Sequence, residues 1–456
     1  MASYETIGAI VFLVFLTLYF ALSKKSLDIK SYKNYAFVAM KRTKLGLKLM
    51  DSLSRLGKFW KFYGYLGIVT GFLGMIAMVF FFGYGIYKTF HEPSAESTIA
   101  VVLPVETNIP GVFGIPFSYW IISIFIIVIV HEFSHGLVAR TYNIRVKSTG
   151  FAFVGVGLRI ISYSILFFAA LNKYKEFNIA KSFTLNFLDY LTPEFWLLAG
   201  LLLLILSYAF ELWIPLIPAA FVEPDEKILR KRPIKEQLSV FAAGPMANFA
   251  LAGFMILVAY LVISPLASKI SEPNGLIVSN YSEGDVDYPI ERSGIKLGER
   301  ITGIDNRIIS DRDDLTEALN SRKPGNFIEL RTNVSSYKLQ LAAKPENPQK
   351  AYLGAYFLQS IKIDKEFEIN YGRFLPLIAW LLGLYGMVIN LNIGIGMFNL
   401  LPLGPLDGGR MIFCILQNKF KKEKANMIFA RISLALFLVV IFFMIIILKN
   451  ILFSFF

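Results

Sequence analysis

The sequence predicts a polytopic α-helical membrane protein with one small mixed α/β soluble domain, and three observations support this fold class. Hydrophobic residues make up 55% of the 456 residues, whereas soluble domains usually contain about 45–50%. Several apolar runs reach the length of about 20 residues that a helix needs to cross a bilayer. One polar stretch, 271–369, interrupts these runs and is long enough to fold as a small domain.

Six of the apolar runs fit one consistent membrane orientation. The predicted core spans are 7–22, 65–87, 116–139, 238–263, 374–395 and 427–448. Basic residues gather in short segments beside them, most densely in 24–61, which is typical of cytoplasmic loops. This pattern places the N-terminus outside the cytoplasm. The first run lacks the basic start and the cleavage site of a signal peptide, so we interpret it as a retained span.

An apolar insert, 158–212, lies between the third and fourth core spans. Its two apolar segments, 158–171 and 195–212, predict a helical hairpin. This hairpin either crosses the membrane twice or dips in and returns, and both alternatives leave the orientation of the core spans unchanged.

The polar stretch 271–369 shows short alternating strands that are separated by Gly and Asp turns. The predicted strands are 275–278, 299–305, 327–331 and 337–341, and a short helix is predicted at 311–319. The orientation of the core spans places this domain outside the cytoplasm.

Charge and cysteine content exclude several classes of protein. The net charge of +13 does not indicate nucleic-acid binding, because the basic residues flank apolar runs. The lipid bilayer is the partner that this arrangement implies. The single cysteine, Cys414, excludes an internal disulfide framework and a Cys-rich metal site.

His131-Glu-Phe-Ser-His135 matches the pattern H-E-x-x-H near the inner end of the third span. Residues at i and i+4 share one helical face, so both imidazoles can bind one metal ion. Glu132 lies beside them, where it can take a proton from a water molecule. Ionisable residues within a span are costly and usually functional. The alternative is that these polar residues are merely solvated at a cytoplasmic helix end.

A catalytic zinc ion usually has three protein ligands and one open position. The only other histidine, His91, follows the second span on the predicted outer side and is interpreted as an exposed loop residue. We therefore expect the third ligand to be a carboxylate. Asp407 is the candidate, since it follows a Pro-interrupted segment and precedes Gly408-Gly409 near the inner membrane surface. The alternative role for Asp407 is that of a helix N-cap.

These motifs resemble the site-2 protease family of intramembrane zinc metalloproteases. The resemblance rests on His131-Glu-x-x-His135, Asn399-Leu-Leu-Pro, Leu406-Asp-Gly-Gly409, Ala220-Phe-Val-Glu-Pro-Asp-Glu226 and Ala243-Gly-Pro-Met-Ala-Asn248. It implies that His131, His135 and Asp407 bind one Zn²⁺ per chain and that Glu132 is the general base.

The resemblance also implies residues that contact the substrate. Asn399 would steady the substrate or the developing oxyanion, and Asn248 is a weaker candidate near the site; either Asn can instead bond to a neighbouring helix. The Gly-rich segment 147–157 resembles the family's membrane-dipping β-hairpin. Its backbone at Gly150, Gly155 and Gly157 would pair with an unwound substrate strand, unless it is an ordinary loop. The insert 158–212 departs from the family at this point and leaves the geometry of the hairpin open.

The polar stretch resembles a PDZ domain, most closely at Ser293-Gly-Ile-Lys-Leu-Gly-Glu-Arg-Ile-Thr-Gly-Ile-Asp-Asn306. Such domains often bind a peptide C-terminus through a backbone nest. No clear Gly-Leu-Gly-Phe loop is present, so the alternative is a size filter against substrates with bulky outer domains.

The predicted organisation has four parts: N-terminal spans with a basic linker (1–115), the first part of a protease core (116–270), the PDZ-like domain (271–369) and the second part of the core (370–456). The resemblance implies an endopeptidase of the cell membrane that cleaves transmembrane protein substrates in regulated intramembrane proteolysis. Its active site would lie near the cytoplasmic side. The alternatives are a catalytically silent scaffold that uses its PDZ-like domain, and a metal transporter with His and Asp on its permeation path.

Overall fold

The computed structural model describes residues 4–23, 26–32, 35–91, 100–104, 107, 109, 111–175, 193–209, 213–282, 288–345 and 347–453. The chain forms two compact units. The first comprises Met1–Ile256 and Trp380–Phe456, and the second comprises Leu257–Ala379.

The helices and strands follow one another in this order. The N-terminal half contains α1 (Tyr4–Ser23), β1 (Asp28–Tyr32), β2 (Ala36–Thr43), α2 (Leu47–Leu53), α3 (Gly57–His91), β3 (Val101–Leu103), β4 (Val112–Gly114), α4 (Phe117–Thr141), β5 (Val146–Gly157), α5 (Leu158–Lys175), α6 (Pro193–Ala209), β6 (Trp213–Pro224), α7 (Glu226–Leu229) and α8 (Ile234–Val258). A π-helical turn (Ala259–Ile263) is followed by α9 (Ser264–Ile270), β7 (Ser271–Tyr281), α10 (Pro289–Arg292), β8 (Arg300–Ile304), β9 (Arg307–Ile308), α11 (Arg312–Asn320), β10 (Phe327–Thr332), β11 (Ser336–Gln340), β12 (Ala342–Lys344), β13 (Asn347–Tyr352) and β14 (Ala355–Ile363). The chain ends with α12 (Lys365–Tyr371), a 3₁₀ turn (Gly372–Phe374), α13 (Leu375–Asn399), α14 (Asp407–Lys419) and α15 (Lys422–Phe453).

Five helical segments in the described part of the chain are long and apolar enough to cross a membrane. They are Gly57–His91, Phe117–Thr141, Ile234–Ile270, Lys365–Asn399 and Lys422–Ile451. Each contains one of the predicted core spans. The first predicted span lies in α1, whose apolar part, Glu5–Tyr19, is shorter than these five segments. The chain is therefore a multi-pass membrane protein in which every predicted core span is helical.

The first unit contains a four-stranded antiparallel sheet in the order β1-β2-β5-β6. Strand β5 pairs with β6 along its whole length, from Val146 opposite Pro224 to Gly157 opposite Trp213. At the far end of this β-hairpin, α5 follows β5 directly and α6 precedes β6. The described parts of the insert, 158–175 and 193–209, therefore adjoin the tip of the hairpin, and the β5–β6 pairing is not interrupted, as is common for insertions at loop tips.

The position of β5 corrects one expectation from the sequence. The other edge of β5 pairs with β2, so that residues 149–156 lie opposite 36–43. The strand that carries Gly150, Gly155 and Gly157 is consequently an inner strand, and its backbone is not exposed for a substrate. The reason is the basic N-terminal linker, which folds back as β1 and β2 and occupies that edge.

Helix α3 packs closely against the rest of the first unit through a row of glycines. A Cβ added at Gly64 would lie 2.9 Å from Cβ of Ser239 in α8, and one added at Gly71 would lie 2.9 Å from Cε of Met411 in α14. Small residues let two helix backbones approach each other inside a membrane. Through them α3 holds α8 and α14 in place.

The second unit is built around a sheet in the order β11-β10-β8-β7-β14, with β9 paired to β8 and a separate β12–β13 hairpin. Its core contains the fully buried side chains of Leu276, Ile301, Ile304 and Leu330 together with Leu315 of α11. The four strands and the helix that the sequence predicted in this region are present as β7, β8, β10, β11 and α11. Its identity as a PDZ domain remains a prediction.

Candidate metal centre

His131 and His135 lie one turn apart on the buried face of α4. Each residue is 7% exposed, and their Nε2 atoms are 3.2 Å apart. The i and i+4 spacing puts the two rings on the same face, as the sequence predicted.

Asp407 reaches these two histidines from a distant part of the chain. Its Oδ2 atom is 3.0 Å from Nε2 of His131 and 3.3 Å from Nε2 of His135. Asp407 is the first residue of α14, and its carboxylate lies at the positive end of the helix dipole.

The two glycines after Asp407 explain how it reaches the histidines. A Cβ at Gly408 would overlap the carbonyl of Leu400, and one at Gly409 would overlap the carbonyl of Leu403. The segment 400–404 therefore packs directly on the first turn of α14. Glycine is required at both positions for this close approach of two backbones.

The histidines are held in place by α8. Nδ1 of His135 is 2.6 Å from the carbonyl oxygen of Val240 and donates to it. This bond leaves Nε2 as a lone-pair donor, which is the usual arrangement in metal-binding histidines. The Ser134 hydroxyl donates to the carbonyl of Ala243 (2.9 Å), so α4 and α8 are joined again beside the site. Nδ1 of His131 is buried and has no hydrogen-bond partner among the described residues.

The three donor atoms fit a tetrahedral metal ion. Zinc bonds of about 2.0–2.1 Å imply a separation of about 3.3 Å between two ligand atoms, and the observed separations are 3.0–3.3 Å. Gly244 of α8 faces the same atoms, and a Cβ there would overlap Nε2 of both histidines. The glycine thus keeps clear the space that an ion would need.

Glu132 lies between the two histidines and β6. Its Oε2 accepts a hydrogen bond from the backbone N–H of Val222 (3.1 Å). One carboxylate oxygen of Glu132 and the ring nitrogens of the two histidines all lie within 4.8 Å of one another. A base at this distance can exchange a proton with a water molecule that is bound between them.

The peptidase family M50 model matches residues 119–440, which include every residue of this centre. The chain belongs to peptidase family M50. This is the site-2 protease family, in agreement with the prediction from the motifs, and the cofactor that the family and the donor set imply is Zn²⁺.

Individual M50 relatives match parts of the chain. A Staphylococcus aureus protein provisionally named a zinc metalloprotease is 26% identical over 269 residues, which cover 48% of this chain and 60% of the relative. The zinc metalloprotease RasP of Bacillus licheniformis is 25% identical over 236 residues (43% and 54%). A zinc metalloprotease of Methanocaldococcus jannaschii is 31% identical over 100 residues (18% and 30%). The chain thus spans at most about three fifths of these relatives.

The remaining M50 motif residues lie on the helices around the centre. Asn248 is fully buried in α8, one turn from Gly244, and packs against Gly396 of α13. Neither its amide nitrogen nor its amide oxygen has a hydrogen-bond partner in the described part of the chain. Asn399 is the half-buried last residue of α13.

His91 is not part of this centre. It is exposed at the end of α3, where its ring stacks on Tyr87. The sequence predicted its exposure, although it predicted a loop at this position. The helix extends beyond the predicted apolar span because Lys88–His91 contains neither Gly nor Pro to end it.

Sequence reasoning missed three residues that shape the centre. Gly244 was seen only as part of a motif around Asn248, and Val222 only as part of a family segment. Met50 carries no motif at all, yet it is 1% exposed and packs against Gly136 of α4. No local pattern in 1–115 indicates that this region lies beside the metal ligands.

Proposed function

We propose that this M50 protein is an intramembrane zinc metalloendopeptidase that hydrolyses peptide bonds of transmembrane protein substrates in regulated intramembrane proteolysis. The observation that carries the proposal is the convergence of His131, His135 and Asp407, with Glu132 beside them, inside apolar helices. A zinc ion held by the three ligands would act as a Lewis acid that polarises the peptide carbonyl and makes water acidic enough to react near neutral pH.

Glu132 serves as the general base in this proposal. The Val222 N–H fixes Oε2 and leaves the other carboxylate oxygen free to accept a proton from the attacking water. The same carboxylate can later return the proton to the amine that leaves. The distance of at most 4.8 Å between a carboxylate oxygen of Glu132 and a ring nitrogen of each histidine supports this role.

The free edge of β6 is the strand that we propose for binding the substrate. In the part of the chain that the structure describes, no strand pairs with this edge, and its Val222 N–H points to Glu132. A substrate helix hides its peptide bonds in internal hydrogen bonds, so it must unwind before cleavage. An unwound segment can add to a free strand edge. Gly150 contributes to a cavity beneath this edge.

The two asparagines are proposed as substrate contacts with different support. The unpartnered amide of Asn248 is buried one turn from Gly244 and is suited to bond a substrate backbone or water. Asn399 lies eight positions before Asp407 and is proposed to steady the developing oxyanion.

The location of the protein and the role of its second unit complete the proposal. We place the protein in the cell membrane with its centre near the cytoplasmic side, because basic segments flank the inner ends of the helices. Residues 271–369 of the second unit are proposed to form an extracytoplasmic PDZ-like domain that binds a peptide C-terminus or excludes bulky substrates.

The test compares the wild type with Glu132→Gln in detergent. Bound zinc is measured, and both proteins are incubated with a panel of single-span helical substrates. We expect about one zinc per chain in both and fragments only with the wild type. Zinc binding without cleavage by either protein would favour the alternative of a silent scaffold. Absence of zinc from both folded proteins would contradict the ligand assignment.

A further inference from the structure

We propose that the cavity beside Glu132 receives an apolar substrate side chain next to the bond that is cut. We further propose that the four residues of 43–50 that line this cavity (Thr43, Leu45, Gly46 and Met50), here called the N-terminal wall, select the size of that side chain. This inference rests on the proposed peptidase function and names the class of substrate residue that the same centre accepts.

The cavity has a volume of about 140 Å³ and lies directly beside the general base. Three parts of the first unit line it, namely the N-terminal wall, α4 around Glu132, and the β5–β6 hairpin around Gly150 and Val222. Val222 also donates its N–H to Glu132. The cavity, the base and the free strand edge are therefore one continuous surface.

The lining of the cavity is almost entirely apolar. Its larger side chains are Leu45, Met50, Ile129, Phe133, Phe151 and Phe221, and Glu132 is the only charged one. An apolar cavity of about 150 Å³ can take up a molecule the size of benzene. The cavity thus suits a benzyl or branched aliphatic side chain, whereas an acidic side chain would lose its hydration and face the carboxylate of Glu132.

The geometry of β6 explains how one substrate side chain would reach the cavity. Side chains of an extended strand point alternately to opposite faces of a sheet. A substrate strand along the free edge of β6 therefore directs every second side chain to the face on which the cavity opens. The position nearest Glu132 belongs to a residue that flanks the cleaved bond.

The N-terminal wall is held firmly, so that the cavity has a defined size. Gly46 has a left-handed φ of 81° and begins the turn into α2, and a Cβ there would lie 3.7 Å from the ring of Phe133. The Thr149 hydroxyl donates to the carbonyl of Leu45 (2.7 Å). Met50 is 1% exposed, and a Cβ at Gly136 would lie 2.8 Å from its Sδ.

The N-terminal wall lies outside the region of this chain that the M50 model matches, which begins at residue 119. The metal ligands and Glu132 lie within the match, whereas the residues that bound one side of the cavity do not. The proposed ligands and base thus lie in a different part of the chain from one wall of the cavity. This separation allows the two to be tested independently.

The experiment measures which side chain is preferred beside the cut. A single-span substrate that the wild type cleaves is mapped by mass spectrometry, and Ala, Leu, Phe or Asp is placed at each position that flanks the cut. Rates are compared for the wild type, for Met50→Ala and for the control Leu49→Ala. Leu49 lies on the same helix, but it is 54% exposed and does not line the cavity. Bound zinc is measured in every variant.

At one flanking position, the wild type should prefer Leu or Phe over Asp and Ala by about tenfold or more. Met50→Ala enlarges the cavity and should shift the ratio of Phe to Leu cleavage about tenfold toward Phe at full zinc content, and Leu49→Ala should leave it unchanged. An unchanged ratio in zinc-loaded Met50→Ala overturns the inference but not the proposed function. A wild type that cuts no substrate overturns both.

A second variant covers the case in which Met50→Ala loses its zinc. Leu45 lies at the rim of the cavity and is 72% exposed, so Leu45→Phe narrows the mouth without disturbing the core. It should shift the preference about tenfold from Phe toward Leu or Ala. A wild-type ratio in this variant would also overturn the inference.

Discussion

Gly244 of α8 lies directly against the imidazole of His131, so closely that a Cβ on the glycine would overlap Nε2 of the histidine. The same Cβ would overlap Nε2 of His135. A residue that is not a ligand therefore controls whether an ion can reach its ligands. Because residue 244 has no side-chain methyl group, the space beside both Nε2 atoms stays open.

Gly244→Ala should reduce zinc affinity by about 100-fold. This is the upper end of the effect of removing a residue that supports a metal ligand. The reason is that the new methyl group occupies the space beside both Nε2 atoms. Zinc binding to the purified protein is measured by competition with a chelator. Gly253→Ala is the matched control, since Gly253 lies in the same helix with no atom within 4 Å of an added Cβ. Equal affinities of the two variants would contradict the prediction.

Gly408→Ala should also weaken zinc binding, by about 10–100-fold, although residue 408 is not a ligand either. Its Cβ would overlap the carbonyl of Leu400 and push the first turn of α14, with Asp407, away from the histidines. Gly404→Ala, four residues earlier, places its Cβ in open space and should bind zinc like the wild type. A normal affinity in Gly408→Ala would show that the segment 400–404 can move without displacing Asp407.

Glu5 should stabilise the N-terminus of α4, which is the end of the helix farther from His131 and His135. Its Oε2 accepts from the backbone N–H of Ser118 (2.8 Å), and its Oε1 accepts from the Ser118 hydroxyl (2.7 Å). Loss of such a cap costs about 1 kcal/mol. We expect Glu5→Ala to lower the apparent Tm in detergent by about 1 °C, because the unfolding entropy of a chain this long is large, and Glu5→Gln, which keeps one acceptor oxygen, to lower it less. A Tm of Glu5→Ala equal to that of the wild type would contradict the role of Glu5 as a cap.

The second unit should lose stability in acid through Asp305. Burial alone would raise the pKa of this carboxyl, but hydrogen bonds from the Glu329 N–H and the Arg322 guanidinium outweigh it and hold the pKa below its usual value. A depressed pKa in the folded state stabilises the protein above the unfolded pKa of about 3.9. That contribution is lost as the pH falls through the folded pKa.

Asp305→Asn tests this pH dependence because the side chain keeps its shape and tolerates the left-handed φ of 50° at this position. At pH 7 the variant should lose at most about 1 kcal/mol, since the carboxylate is partly exposed. Amide hydrogen exchange in 300–332 of the full chain should be up to about fivefold faster than in the wild type. The difference should shrink as the pH falls below about 4, and Asp313→Asn, at an exposed position, should show none. A difference that persisted in acid would assign the effect to packing.

The residues that we propose as ligands and base could be predicted in part because their patterns are local. The i and i+4 spacing of His131 and His135 fixes their common face in any α-helix. The spans were predictable for the same reason, since apolar length decides whether a helix can cross a membrane. Asp407 was a candidate because it lies between a Pro-interrupted segment and Gly408-Gly409, and its role as a ligand rested largely on the family resemblance; its Oδ2 does lie 3.0 Å from Nε2 of His131.

Tertiary structure alone decided what surrounds these residues. Strand β2 pairs with β5 across more than a hundred residues of sequence, and nothing in either segment specifies its partner, because backbone hydrogen bonds are the same for every sequence. That pairing makes β5 an inner strand, leaves the free edge to β6, and brings Met50 to the wall of the cavity beside Glu132. The sequence by itself therefore determined the membrane helices and indicated the residues that we propose as metal ligands. The surface on which a substrate would lie depends on non-local contacts between segments, which exist only once the chain has folded.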